Sequence, residues 1–211
     1  MAEELERPGA EQWVPESGGI AALRRAAPGC RGCELWEPAT QVVFSSGSAH
    51  ARIVMVGEEP GDAEDLAGEP FVGPAGKLLR RAIEEAGIAM EEVYLTNAIK
   101  HFSFVQRGKR RIHRKPDLAQ MVACRPWLEA ELRYVDPDLT VLLGASAARQ
   151  VLGPGIKVTQ QRGQVLTRET TLGERRFIPT VHPSSILRAR ERRHDAYAAF
   201  VADLKVVAKA V

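Results

Sequence analysis

A disulfide framework is the first thing this sequence lacks. Its 211 residues hold three cysteines, too few and too odd a number for a stapled secreted scaffold. A large net charge is also missing: 29 Lys+Arg stand against 27 Asp+Glu, leaving +2. The whole chain therefore gives no argument for a polyanionic partner, and any such argument must come from local clustering. No apolar run approaches the roughly 18 residues of a membrane span, so no membrane association is expected. The opening MAEELERPGAEQWVPESGG lacks the basic and apolar stretches of a secretory leader. A cytoplasmic protein, its thiols reduced or on a metal, is the expectation. Solenoid repeats and low-complexity linkers are absent too. That leaves a mobile tail over residues 1–18 and a single domain over 19–211. What is present is an ordinary globular mixture, 45% hydrophobic and 27% charged, which excludes a largely disordered chain.

From residue 40 the punctuation alternates. Gln41–Phe44 is a short apolar run that ends in Ser-Ser-Gly and predicts a strand. Ile53–Val56 ends in Gly57 and predicts a buried parallel strand. Pro74–Gly87 carries Leu78, Leu79, Ala82, Ile83 and Ala86 at helical spacing, with Pro at its start and Gly after its end. Val93–Leu95 predicts a strand, Asp117–Tyr134 a helix, Leu139–Leu143 a strand and Ser146–Leu152 a helix. Strands near Gly163–Thr167 and Phe177–Val181 and a closing helix over Asp195–Ala210 complete the series. Strands alternating with helices imply a parallel or mixed sheet covered on both faces. Ligands of such sheets bind beyond the carboxyl ends of the strands. Four loops then share one rim: Gly57–Asp62, Thr96–Lys100, Gly144 and Val181–Ser185.

Four constellations on this frame can carry chemistry. Gly57-Glu58-Glu59-Pro60-Gly61-Asp62 puts carboxylates on a loop whose glycines allow close approach of a ligand. By spacing alone it is equally a Gly/Pro turn with solvated acids, and it is not a P-loop, since GxxxxGK[ST] is absent. His182-Pro183-Ser184-Ser185 places an imidazole at a strand end, where the serines can cap a helix. Residues 107–116 hold six cations, Arg107, Lys109, Arg110, Arg111, Arg114 and Lys115. Bounded by Gly108 and Pro116, they predict an ordered loop that presents charge to phosphates. Arg188, Arg190, Arg192 and Arg193 form a second cluster on the same rim. Finally, Cys30-x-x-Cys33 and Cys124 supply three thiols that need a fourth ligand, for which His50, His101, His113, His182 and His194 are the candidates. Spacing alone allows zinc or an iron–sulfur cluster, or a Cys124 that is only a buried core thiol.

Taken together, GEEPGD, EDLAGEPFVGPAGKLL, VYLTNAIKHF, ACRPWL, VLLGASAA and VHPSSILR follow one another in the order and spacing of the uracil-DNA glycosylase superfamily. The chain resembles its iron–sulfur branch near family 4, and the KRRIH loop resembles the UdgX type. The likeness covers roughly residues 25–208. It implies an α/β fold, a three-layer α/β/α sandwich around a four-stranded parallel sheet. It also implies a 4Fe–4S cluster held by Cys30, Cys33, His101 and Cys124, with His101 standing where family-4 members have a cysteine.

The same resemblance assigns roles. Glycosylases take the base out of the stack. Phe71 stands at the family's stacking position and Asn97 at the position that reads uracil N3–H and O4. His182 donates to uracil O2 as charge develops there. Glu58, supported by Asp62, stabilises the sugar cation or holds a water. Gly57, Glu59 and Ser184 belong to the same substrate pocket. Lys109, Arg110, Arg114 and Arg188 meet the DNA backbone. In UdgX-type proteins the His of KRRIH attacks the sugar C1′ and stays attached, which implies the same for His113, with Arg111 anchoring its loop. Like charge from Arg111 and Arg114 is expected to keep His113 neutral. One position departs from the type: GEQPGD is usual, and Glu59 replaces the Gln. An ionised carboxylate only accepts hydrogen bonds, which affects how the reaction is oriented.

The expected partners are uracil-containing DNA, single strands preferred, and free uracil as product, with a monomer as the acting species. Two readings compete. One is a conventional hydrolytic glycosylase that turns over with water. The other is a metal-stapled DNA-binding module without chemistry.

Overall fold

The computed structural model describes residues 7–211. Its elements in chain order are α1 (Gly19–Ala26), β1 (Ser45–Ser46), β2 (Ile53–Gly57), α2 (Asp62–Ala67), α3 (Pro74–Glu85), β3 (Val93–Asn97), β4 (Phe104–Arg107), β5 (Arg110–His113), α4 (Leu118–Val135), β6 (Leu139–Leu143), α5 (Ala145–Leu152), α6 (Val158–Gln161), β7 (Leu166–Thr170), β8 (Gly173–Thr180), α7 (Pro183–Leu187) and α8 (Arg193–Ala210).

The central sheet runs β1-β3-β2-β6-β8-β7. Its four inner strands, β3, β2, β6 and β8, are parallel, as the sequence predicts. Antiparallel edge strands β1 and β7 extend the sheet to six. All residues of β2, β3 and β6 are buried, which is why they read as continuous apolar runs and not as alternating ones. Successive residues serve opposite faces. Val54 and Val56 join a core with Leu23 of α1, Trp127 and Leu128 of α4 and Ala147 of α5. Ile53 and Met55 join the other core with Leu79 and Ile83 of α3 and Phe200 and Leu204 of α8. The helices thus form two layers around the sheet.

Caps mark several boundaries. Asp117 and Gln120 form a reciprocal box at the start of α4: Asp117 Oδ1 accepts from the Gln120 N–H at 2.8 Å and Gln120 Oε1 accepts from the Asp117 N–H at 2.9 Å. They satisfy donors that the first helical turn leaves free.

Three expectations change. Residues 41–44 form no strand. Val43 and Phe44 are buried as the run suggested, but only the following Ser45–Ser46 pairs with β3. The strand near Phe177–Val181 is present as the buried end of β8, but β8 starts earlier, at Gly173, and the strand near Gly163–Thr167 shifts to Leu166–Thr170, because β7 and the start of β8 form a hairpin whose residues are largely polar and not buried. Such a segment carries no apolar pattern to read. The expected tail is the third change. Residues 1–6 lie outside the described residues, but the rest of that segment begins docked. Ala10 is buried and its N–H donates to Ala123 O at 2.9 Å. Arg7 pairs with Glu34 through Nε and Nη2. These long-range contacts hold the segment beside the cysteine region.

Candidate functional site

Beyond the carboxyl ends of β2, β3 and β8 lies a cleft of about 480 Å³. Its walls come from the predicted rim: Glu58, Glu59 and Gly61 after β2, Asn97 at the end of β3, and His182, Ser184 and Arg188 around α7. Phe71 and Glu64 also line it, with the solvent-exposed His113 and Lys115 at its mouth. The chain order of the sheet places β3 and β6 on opposite sides of β2, the strand arrangement that opens such a crevice.

Glycine decides the tightest point. A Cβ on Gly57 would lie 2.2 Å from Asn97 Oδ1 and 2.8 Å from Phe71 Cζ. Only a residue without a side chain lets the carboxamide and the ring meet over the strand end. Phe71 itself has φ +58, a left-handed conformation that costs a bulky residue energy and persists only when its surroundings enforce it. Those surroundings include Gly76, where a Cβ would stand 1.9 Å from Phe71 O. Glu64 fastens the two loops: its carboxylate accepts from the Gly73 N–H at 2.9 Å and from the Gly61 N–H at 3.2 Å.

The histidine of the HPSS turn is fixed by its own helix. His182 Nδ1 accepts from the Ser184 N–H at 3.2 Å and lies 2.8 Å from Ser184 Oγ. With Nδ1 taken as an acceptor, the ring proton belongs on Nε2. Burial pushes the imidazole down to about 4, with Arg188 and His113 adding to the effect. His182 is therefore a neutral hydrogen-bond donor at neutral pH. Glu58 Oε1 is buried without a partner among the described residues, a carboxylate oxygen left free beside the cleft.

The basic loop is a β-hairpin, with Phe104 opposite His113 and Arg107 opposite Arg110. Arg111 anchors it. The guanidinium binds Asp62 at 2.6 Å, Asp65 at 2.5 Å and Thr40 Oγ1 at 3.0 Å, and it stacks over Phe102 and Phe104. Arg111 thus anchors the hairpin, and Asp62, bound to it, does not line the cleft beside Glu58, which corrects the expected support of Glu58 by Asp62. Lys109, Arg110, Arg114 and Arg188 are exposed.

His113 Nε2 lies 2.6 Å from Glu59 Oε1. Among the described residues Glu59 Oε1 has no hydrogen-bond partner beyond this imidazole contact, while Glu59 Oε2 accepts from the Ser103 N–H at 3.1 Å. The contact with Glu59 holds His113 above the ordinary histidine range. Burial pushes Glu59 up to about 7. The expected neutralisation of His113 by Arg111 and Arg114 is overturned: Arg111 is paired with two aspartates, and the nearest charge is a carboxylate.

Sequence reasoning missed the layer beneath Asn97. Lys100 Nζ forms a buried ion pair with Glu131 and donates to Asn97 O at 2.9 Å and to Thr96 Oγ1 at 2.6 Å. Tyr94 Oη donates to Glu131 Oε1 at 2.8 Å. A glutamate inside a helix gives no sign that it faces the core.

The four predicted metal ligands, Cys30, Cys33, His101 and Cys124, line one small cavity with Gly32, Lys100, Ala123 and Trp127. Burial raises the Cys33 thiol to about 11 and the Cys124 thiol to about 12. Trp127 Nε1–H donates to Cys30 Sγ at 3.3 Å. Among the described residues, no group of three or more His, Cys, Asp or Glu is placed to hold a single metal ion, and no helix is long and apolar enough to cross a membrane.

Comparison with known proteins adds three relatives and a family. Residues 44–205 match the family described as the uracil DNA glycosylase superfamily. The chain is 38% identical over 162 residues to a type-4 uracil-DNA glycosylase of Thermotoga maritima, covering 76% of this chain and 79% of the relative. It is 32% identical to the type-4 enzymes of Sulfurisphaera tokodaii, over 80% of this chain and 76% of the relative, and of Archaeoglobus fulgidus, over 79% and 82%.

Proposed function

This chain belongs to the uracil-DNA glycosylase superfamily, and from that premise we propose that it excises uracil from DNA and then captures C1′ of the sugar on His113. The observation that carries the reading is the placement of His113 at the mouth of the cleft that also holds Phe71, Asn97 and His182.

A flipped uracil enters against the ring of Phe71. The Asn97 carboxamide accepts from N3–H and donates to O4, a pattern that cytosine does not match. Cleavage of the N-glycosidic bond sends its electron pair into the base. His182, neutral and protonated on Nε2, donates to O2 where that charge collects. A pre-aimed donor of this kind lowers a barrier by roughly 3–4 kcal/mol. The unpartnered oxygen of Glu58 faces the cationic sugar. A lone pair of the neutral His113 imidazole then forms the bond to C1′. Exposed Lys109, Arg110, Arg114 and Arg188 grip phosphates of the DNA, with single strands preferred.

Cys30, Cys33, His101 and Cys124 would hold a 4Fe–4S cluster. Three thiols and one imidazole line one small cavity, a donor set of the kind that holds iron–sulfur clusters. Cluster ligation would tie the N-terminal segment to α4 and to the loop after β3, a structural role. Cytoplasmic action as a monomer fits this reading.

The test is a denaturing gel with uracil-containing single-stranded DNA, run beside His113→Ser. A heat- and SDS-resistant shifted band with the parent protein and none with the variant is the expected result. Alkali-labile strands without a shifted band would establish the conventional hydrolytic enzyme. Binding to uracil-DNA and undamaged DNA alike, with no uracil released, would establish a binding module.

A further inference from the structure

Glu59 meets the nucleophile His113 at the cleft. Glu59 stands where the UdgX type carries a carboxamide, and its carboxylate is wholly buried against a half-exposed imidazole. A Gln there has a neutral N–H or carbonyl to offer the ring. A carboxylate offers only negative charge and acceptor lone pairs. We propose that Glu59 is a positioning residue that holds a proton on His113 Nε2 and so sets the pH above which this imidazole becomes nucleophilic. The proposal deepens the covalent reading of the same site and rests on it for its consequence.

Three observations support it. Glu59 Oε1 meets the imidazole at 2.6 Å and, among the described residues, has no other hydrogen-bond partner. Its second oxygen is tied to the Ser103 backbone, which fixes the carboxylate in place. Ser103 O in turn accepts from the Arg114 N–H at 2.9 Å, so the strand that carries His113 is registered against the same backbone. The other charged groups around the ring are Glu58, whose charge acts in the same direction, and Arg188, which opposes it. Lys115 and His182 line the cleft beside it. On its own hairpin, Arg111 is neutralised by Asp62 and Asp65, and Arg114 is exposed. Both members of the pair are raised, so it retains a proton near neutrality and titrates as a unit.

The covalent step fixes the sign. The C1′–N1 bond breaks with its electron pair going to uracil, and an imidazole lone pair forms the new bond to C1′. An imidazolium has no such lone pair. Adduct formation therefore rises with pH through the titration of His113. After reaction the alkylated ring is cationic, and the Glu59 carboxylate faces it.

The experiment is a histidine NMR titration of the DNA-free holoprotein and of Glu59→Gln, with adduct rates followed in parallel. Glu59→Gln is nearly isosteric and keeps an oxygen for the Ser103 N–H, so the variant retains the site. In the parent protein His113 titrates above its ordinary value, about 6.5. In the variant its midpoint falls by roughly 1 pH unit, the lower end of what a nearby opposite charge produces. The adduct rate below the midpoint rises about tenfold, in proportion to the neutral fraction. A parent midpoint at or below the ordinary value, or an unchanged midpoint in the variant, overturns the proposal. Uracil release without adduct at any pH would instead sink the covalent reading, while the titration still decides the role of Glu59.

Discussion

Lys100 and Glu131 form an ion pair that is almost wholly inaccessible to solvent, directly beneath the residue expected to read the base. The ammonium of Lys100 donates to the backbone oxygen of Asn97, and Glu131 also receives the hydroxyls of Tyr94 and Thr96. The end of β3 is thereby fixed by charge-assisted bonds from α4, across one face of the sheet.

Breaking that pair on one side leaves a buried charge alone. Lys100→Met is expected to destabilise the protein by about 3–5 kcal/mol, measured by denaturant unfolding. Lys100→Met with Glu131→Leu should recover much of that loss, because the orphaned carboxylate is gone. The double variant should still excise uracil slowly, since Asn97 loses its anchor.

Gly57→Ala tests the tight point of the cleft. The added methyl lands on Asn97 Oδ1 and Phe71 Cζ, displacing both groups while leaving the sheet core intact. A misplacement of about 1 Å in a reacting geometry costs roughly 100-fold. Single-turnover uracil release should fall by about that factor, with near-native circular dichroism.

His182 gives a pH signature of its own. Its folded value, about 4, lies below the usual histidine range because the ring is buried. Between that value and about 6.5 the unfolded chain binds a proton that the native protein resists. Stability is therefore lost as pH falls through this window and is complete above it. His182→Asn should flatten that slope in thermal melts taken from pH 7 down to pH 4.5. At neutral pH the same variant should slow uracil release by about 100-fold or more, as for removal of one oxyanion donor.

Arg111 separates the two halves of the reaction. Arg111→Ala frees the hairpin from Asp62 and Asp65, so His113 loses its position while Phe71, Asn97 and His182 keep theirs. The adduct rate should drop by roughly 100-fold and uracil release by much less. Equal losses in both assays would show that the hairpin also holds the base pocket together.

Much of this protein is written in local sequence. The β2 run Ile53–Gly57, the helix beginning at Pro74 and the strand Leu139–Leu143 follow from apolar periodicity, caps and turn residues, all of which act over a few positions. Those signals also place the glycine, asparagine and histidine loops at one end of the sheet, because parallel strands share a direction. Tertiary structure alone decides which charges meet. Arg111 turns to Asp62 and Asp65, not to His113. Glu59 meets His113, Glu131 lies under Asn97, and the segment after residue 6 docks against Ala123 instead of trailing free. These partners are far apart in the chain, and no short-range pattern specifies them. Packing brings them together, and the same packing removes the water that would otherwise screen them. The sequence thus supplied the reacting groups, and burial in the folded chain assigned their partners and their protons.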